Sequence, residues 1–187
     1  MFTTLISTTI EPIATERLQL RVLAAADVTP AYIEAMNDPE VVGLTEARHQ
    51  RWDRASVLKY IEQSNRDGVS TMVGLFLKDG RRHIGNVRLF NLHPAHRRAE
   101  MSFIIFDKTQ WSKGYATEAV LAVCAYAFDV LGLHRIHADY YATNIGSARL
   151  FKKAGFAVEG TYRHHFFSGG AFVDSVRVGK INPAEAA

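Results

Sequence analysis

The chain has 187 residues, enough for one domain with a sizeable core, and its 48% hydrophobic and 22% charged content excludes a fibrous or low-complexity protein. The net charge of +3 sits in short clusters such as Arg81-Arg82-His83 and His96-Arg97-Arg98, which excludes the concentrated basic stripe of a nucleic-acid binder. No apolar run reaches the roughly 18 residues of a membrane span, and the single cysteine, Cys124, excludes an intrachain disulfide and a multi-cysteine zinc site. The first residues, "MFTTLISTTIEP", have no basic stretch ahead of an apolar one, so the expected compartment is the reducing cytoplasm.

Alternation in "RLQLRVL" predicts a strand over 17–23. Asp27 is expected to cap a short helix running toward Met36, and "NDPE" (37–40) reads as a turn. A second helix is predicted over about 53–65, closed by Asp67-Gly68. "TMVGLFL" (71–77) and "HIGNVRLFNL" (83–92) read as a hairpin across "KDGRR", and "AEMSFIIF" (99–106) as the next strand. Ala116, Ala119, Val120, Val123, Cys124, Ala127, Phe128 and Leu131 then follow a helical rhythm that Gly132 ends. "RIHADY" (135–140) is a strand and 145–154 a short helix, with Asn144 at its cap and Gly155 at its stop. "FAVEGTYRHHFF" and "AFVDSVRVGKI" flank Ser168-Gly169-Gly170 and read as a closing hairpin. No repeat or linker breaks the chain, so one domain is expected over 1–187, a mixed sheet with helices on it.

The stretch "WSKGYATEAV" (111–120) carries the strand ending at Phe106 into the long helix. A helix N-terminus has unpaired N–H groups and the positive end of the macrodipole, so an anion can bind there. Gly114 and the small Ala116 allow close backbone approach, Lys113 adds positive charge and Thr117 a hydroxyl. The plainer reading is a connection with a glycine in its turn, because one glycine is weak evidence. Further on, "ATNIGSARLFKKAGF" (142–156) puts Asn144 and Ser147 at a second helix N-terminus, after the next strand. Ligands of open α/β sheets bind at such a place.

In order and spacing, "TERLQLRVL" (15–23), "HIGNVRL" (83–89), "AEMSFIIFD" (99–107), "WSKGYATEAV" (111–120), "LGLHRIHADYYATNIGSARLFKKAGFAVEG" (131–160) and "GGAFVD" (169–174) resemble the GNAT superfamily of N-acetyltransferases, in its RimJ/RimL-like subgroup. The resemblance covers nearly the whole chain. It implies an α/β (α+β) fold: a single domain whose mixed, mostly antiparallel sheet splays at its centre and is flanked by helices. Acetyl-CoA would lie in the gap as co-substrate. The resemblance implies that the N–H groups of Trp111, Ser112, Lys113, Gly114, Tyr115, Ala116 and Thr117 hold its pyrophosphate. It also implies that the backbone of Ile104, Ile105 and Phe106 pairs with the pantetheine, that Asn144 holds a pantetheine amide, and that an N–H near Phe106 stabilises the oxyanion. The acceptor-shaping region would be about 27–66, the CoA-binding core about 83–160 and the closing hairpin about 156–181.

The departures from the family pattern decide the catalytic candidates. Many members carry a tyrosine seven residues after the asparagine, as proton donor to the CoA thiolate; here that position is Phe151. Ser147 stands where the RimL-like subgroup has a serine credited with the task, although a serine there also serves helix N-terminal backbone groups. The subgroup's glutamate, nineteen residues after that serine, is Phe166 here. Glu100, His164, His165 or a water therefore remain for the base and for the acceptor contacts. A surface pair with Arg97 or Arg98 is the plainer reading of Glu100, and on an alternating strand only one of the two histidines faces the acceptor. Cys124 reads as core, and the histidines lack metal-ligand spacing, so no metal is expected.

The expected activity is transfer of acetyl from acetyl-CoA to a primary amine by direct attack in a ternary complex. The acceptor is read as a small amine such as an amino sugar, with a protein N-terminus as the alternative. A CoA-binding regulatory module with little catalytic power is the reading from another class. A small-molecule or peptide amine is the expected partner, with no nucleic acid or membrane, and the chain as monomer or homodimer.

Overall fold

Leu18 and Leu20 are buried while Gln19 between them is exposed, and this two-residue period makes β2 (Leu18–Val22) a strand with one face in the core. The computed structural model describes residues 10–65 and 69–185. β2 pairs antiparallel with the short β1 (Ile13–Ala14) on one side and with β3 (Thr71–Leu77) on the other. Every residue of β3 is buried, as expected of a strand covered on both faces. β4 (His83–His93) and β5 (Arg98–Ile105) continue the antiparallel meander. β6 (Arg135–Tyr141) then lies parallel to β5, and β8 (Ala171–Ile181) and β7 (Ala157–Ser168) complete an eight-stranded sheet of order β1-β2-β3-β4-β5-β6-β8-β7. The sheet is mixed and mostly antiparallel, as expected.

One face packs on α4 (Tyr115–Asp129) and α5 (Ile145–Lys153), where Ala119, Val120, Val123 and Phe151 meet Leu20, Leu75, Met101 and Ile136. The other face carries α1 (Pro30–Met36), α2 (Pro39–Val42) and α3 (Arg54–Ser64), with Tyr32, Val57 and Trp52 against Met72, Phe76 and Phe106.

Three local expectations change, and a fourth falls outside the described residues. Asp27 does not cap α1: Pro30 occupies the first helical position, and Thr29 before it accepts from the Tyr32 N–H at 3.2 Å. Asp27 instead receives Arg21 through both carboxylate oxygens, at 2.7 Å each, and the Ala24 N–H at 2.6 Å. "NDPE" is more than a turn, because Asp38 accepts from the Glu40 N–H and starts α2. α4 ends at Asp129, so Leu131 lies past the helix, and Gly132 takes its left-handed φ of 64° beyond it. The expected stop of α3 at Asp67-Gly68 lies outside the described residues; the described part closes on Asn65, whose side-chain amide donates to Ile61 O.

Candidate active site

The site forms where β5 and β6 part. They pair only at Arg98 with Arg135, Ala99 with Ile136 and Glu100 with His137. β5 stays bonded to β4 as far as Ile105, and β6 stays bonded to β8 as far as Tyr141, so the two halves of the sheet diverge beyond Glu100 and His137. The backbone phase of the open edge follows from one bond: Phe106 N–H donates to Ile84 O at 3.0 Å. Bonded positions alternate in an antiparallel ladder. Ile104 and Phe106 therefore turn their backbone groups toward β4, while Phe103 and Ile105 turn theirs to the gap. The N–H of Phe106 itself is thus committed to β4, and the neighbouring Ile105 turns its N–H to the gap, near Phe106 as expected of the oxyanion donor. The Ile105 carbonyl is held by Trp111 Nε1 at 2.7 Å, which ties the loop to the strand.

The loop after β5 reaches α4 through two left-handed residues, Ser112 at φ 62° and Gly114 at φ 86°. That path brings Trp111, Ser112, Lys113 and Gly114 to the surface at the head of the helix, with Tyr115, Ala116 and Thr117 half-buried behind them. Gly114 is the N-cap and supplies no capping side chain. The first N–H of the helix to meet a carbonyl is that of Glu118, bonded to Gly114 O at 3.0 Å. The preceding N–H groups point out of the helix end, as an anion seat requires. Lys113 Nζ lies 3.3 Å from Gln110 Oε1 and adds charge.

Beside this loop stands a group to which no local motif assigns a task. Arg17, just before β2, donates to Glu118 Oε2 through Nε at 2.7 Å and Nη2 at 2.6 Å, and to Lys113 O through Nη1 at 2.9 Å. Its guanidinium also lies 4.3 Å above the Tyr115 ring. Glu118 Oε1 accepts from Thr15 Oγ1 and from the Arg17 N–H. Burial pushes the Glu118 carboxyl up, but the Thr15 hydroxyl, the Arg17 N–H and the guanidinium outweigh it and hold its pKa below the usual carboxylate range. The signal was the "TER" of residues 15–17, whose partner lies a hundred residues away.

At the end of β6 the chain enters α5. Asn144 Oδ1 accepts from the Ser147 N–H at 2.9 Å, so Asn144 fills the capping role and keeps its amide Nδ2 out of that bond. Ser147 is buried, with 9% exposure, and the cap uses its N–H rather than its hydroxyl. Phe151, where many relatives have tyrosine, packs in an aromatic cluster with Tyr140, Phe103 and Phe156 at centroid distances of 6.0, 5.6 and 5.0 Å.

Glu100 sits at the vertex of the gap, on the face away from α4. Asn91 Nδ2 donates to its Oε2 at 3.0 Å, and His137 Nε2 lies 3.8 Å from the same oxygen. These contacts replace the expected pairing with Arg97 or Arg98; Arg97 is taken by Glu185. Burial, aided by the positive charge of Arg177, pushes the His137 pKa below its ordinary value, so the ring is neutral beside Glu100 near pH 7. Further along the same face Arg177 grips Asp139 at 2.9 and 2.6 Å, and Tyr141 donates to Glu46 Oε1 at 2.5 Å while stacking on Phe166 at 4.0 Å.

His164 and His165 depart from the expected alternation. The β7–β8 register slips between Tyr162 and Phe166, and His164 takes a φ of 50° in that bulge. Both histidines are exposed; His165 lies against Phe166 and Tyr162, and the His164 N–H donates to Asp174. Cys124 is core: burial pushes its thiol up to about 12, far from a nucleophile's range. Among the described residues no helix is long and apolar enough to cross a membrane.

Known proteins resemble this chain in sequence and in fold. The family profile described as the acetyltransferase (GNAT) domain matches residues 17–157. YoaA of Bacillus subtilis, described as an uncharacterized N-acetyltransferase, is 34% identical over 112 residues, which are 60% of this chain and 63% of that protein. The spermidine N(1)-acetyltransferase of Escherichia coli K12 is 30% identical over 144 residues, 70% of this chain and 76% of that one. Among solved structures, the ribosomal L7/L12 alpha-N-protein acetyltransferase RimL, in complex with coenzyme A, superposes with a TM-score of 0.82 over 94% of this chain and 100% of its own, at 17% identity. At that identity the likeness is one of fold. The chain belongs to the GNAT family and is an N-acetyltransferase.

Proposed function

We propose that this enzyme moves the acetyl group of acetyl-CoA to a small primary amine, and that the acetyl-CoA lies in the gap between β5 and β6. The observation that carries the reading is the coincidence of that gap with the outward N–H groups at the head of α4 and a carboxylate, Glu100, at its vertex. The bare helix end suits a pyrophosphate. The gap-facing backbone of Phe103 suits an extended amide chain, which would add to the sheet edge as a strand does. Residues 83–160 then form the cofactor core, residues 27–66 and the hairpin 156–181 the walls around the acceptor.

The residues take the following parts. Glu100 receives the proton that the ammonium must lose before its nitrogen can attack. The neutral His137 beside it does not compete as a cation, so the acceptor's own charge meets an acidic vertex. The amine nitrogen bonds to the acetyl carbon and the carbon–sulfur bond breaks; the Ser147 hydroxyl gives its proton to the departing thiolate, and the proton shed by the new amide nitrogen returns through solvent to the serine oxygen. The Ile105 N–H stabilises the oxyanion formed on the way. The relatives that act on spermidine and on a protein N-terminus show that the family serves several amines; the mixed charge of this cleft, with Asp139 and Glu46 already engaged, favours a compact acceptor.

An amine panel of amino sugars, polyamines, amino acids and peptide N-termini, followed by thiol release from acetyl-CoA, tests this. Turnover should be fastest with a small amine. Turnover confined to peptide N-termini would move the acceptor to the protein class. Tight acetyl-CoA binding without turnover on any amine would leave only a regulatory module.

A further inference from the structure

Glu118 presents a structural problem for the proposed cofactor seat. It stands in the first turn of α4, where an acidic side chain favours the helix. The same carboxylate would repel a pyrophosphate resting on the N–H groups one turn away. Arg17 meets it with a two-pronged ion pair and, with its remaining nitrogen, holds the carbonyl of Lys113 between the left-handed Ser112 and Gly114. A fork of this kind fixes direction as well as charge. The guanidinium also lies along Gly114: a Cβ added there would come within 3.4 Å of its Nη2.

We propose that Arg17 is a positioning residue for the phosphate end of acetyl-CoA: it cancels the Glu118 charge at the head of α4 and locks the Lys113 carbonyl so that the loop N–H groups face the ligand. The inference rests on the proposed seat of acetyl-CoA and adds to it a residue from beside β2, the second strand of the sheet. β2 lies three strands away from β5 in the sheet order, and Arg17 reaches the loop over the end of that sheet. Arg17 acts through Glu118 and the loop, so its contribution belongs to affinity for the phosphate end and not to the chemistry at the thioester.

Three variants and two acetyl donors test it. Acetyl-CoA is titrated calorimetrically against wild type, Arg17→Ala, Arg17→Lys and the double variant Arg17→Ala/Glu118→Gln. Turnover is compared with acetyl-CoA and with S-acetyl-N-acetylcysteamine, a thioester with no phosphate. Arg17→Ala should weaken acetyl-CoA on the order of tenfold and raise its KM alike, the scale of a lost charge-assisted contact. Its kcat at saturation, and its kcat/KM for the short thioester, should stay within about twofold of wild type. Arg17→Lys should recover part of the affinity, because the charge returns without the fork. Glu118→Gln in the Arg17→Ala background should recover part of it, because the amide oxygen still accepts from Thr15 and the charge is gone, while the Lys113 carbonyl stays unheld.

Wild-type acetyl-CoA affinity in Arg17→Ala would overturn the proposal, as would an equal loss with both donors or no recovery in the double variant. If wild type itself fails to bind acetyl-CoA, the proposed cofactor seat falls first and takes this inference with it.

Discussion

At the scale of single residues, the site divides into atoms already engaged and atoms left free. Asn144 Oδ1 is engaged with the α5 cap, while the Ser147 hydroxyl stands outside that cap. Phe106 N–H is engaged with Ile84, while the backbone of Ile105 faces the gap. We expect Ser147→Ala to lower kcat on the order of tenfold or more with little change in acetyl-CoA affinity, since it removes a proton donor and leaves the cap intact. Steady-state kinetics with acetyl-CoA check this, and an unchanged kcat ends the assignment. Glu100→Gln should lower kcat by on the order of a hundredfold and alter the pH–rate curve; the wild-type curve in that variant would pass the proton to water. The placement of Asn144, Ser147 and the loop 111–117 at two helix N-termini was legible from the chain because their motifs are local, whereas Glu100 entered only in place of the glutamate absent at Phe166. Arg17 was not: its task is set by Glu118 and Lys113, which come beside it only when the β2 edge closes on α4. Glu46, bound to Tyr141, was hidden for the same reason.

Elements follow the chain's periodicity where burial is one-sided and depart from it where the backbone turns. β2 to β6 and α4 lie within a residue or two of their predicted bounds because apolar spacing dictates them. The misplaced cap of α1 shows that a proline at the first helical position outranks an upstream aspartate, and Thr29 accepts the bond instead. The bulge at His164 breaks the alternation used to sort the two histidines, and no turn residue in "YRHHFF" announces it. The loop before α4 carries its own prediction. Gly114 sits at φ 86°, where a side chain costs roughly 1–2 kcal/mol, and a Cβ would press toward Arg17. Gly114→Ala should therefore lower the urea midpoint and weaken acetyl-CoA binding together. An alanine variant with wild-type affinity would show that the left-handed turn does not shape the seat.

For the molecule as a whole, the sheet is one continuous layer until Glu100 and His137, and function depends on its halves parting there. The same layer holds a buried pH-sensitive group. His83 Nε2 faces two acceptors, Gly85 O at 3.0 Å and Asn86 Oδ1 at 2.8 Å, so that nitrogen carries the proton. Its Nδ1 is buried without a hydrogen-bond partner among the described residues, and burial pushes its pKa below the ordinary value despite the pull of Asn86 and Asp27. The unfolded chain takes up this proton as the pH falls through about 6.5, and the folded chain resists it. The stabilisation is therefore complete above about pH 6.5 and is lost on acidification below it; His137 adds in the same direction. The urea midpoint should be lower at about pH 5.5 than at about pH 7.5, and an equal or higher midpoint at the acid value would contradict this. Amide hydrogen exchange with and without saturating acetyl-CoA tests the location of the cofactor directly. Slowed exchange should concentrate in the segments 101–106 and 111–118, the open edge of β5 and the head of α4. Saturable binding with those two segments unchanged would contradict it.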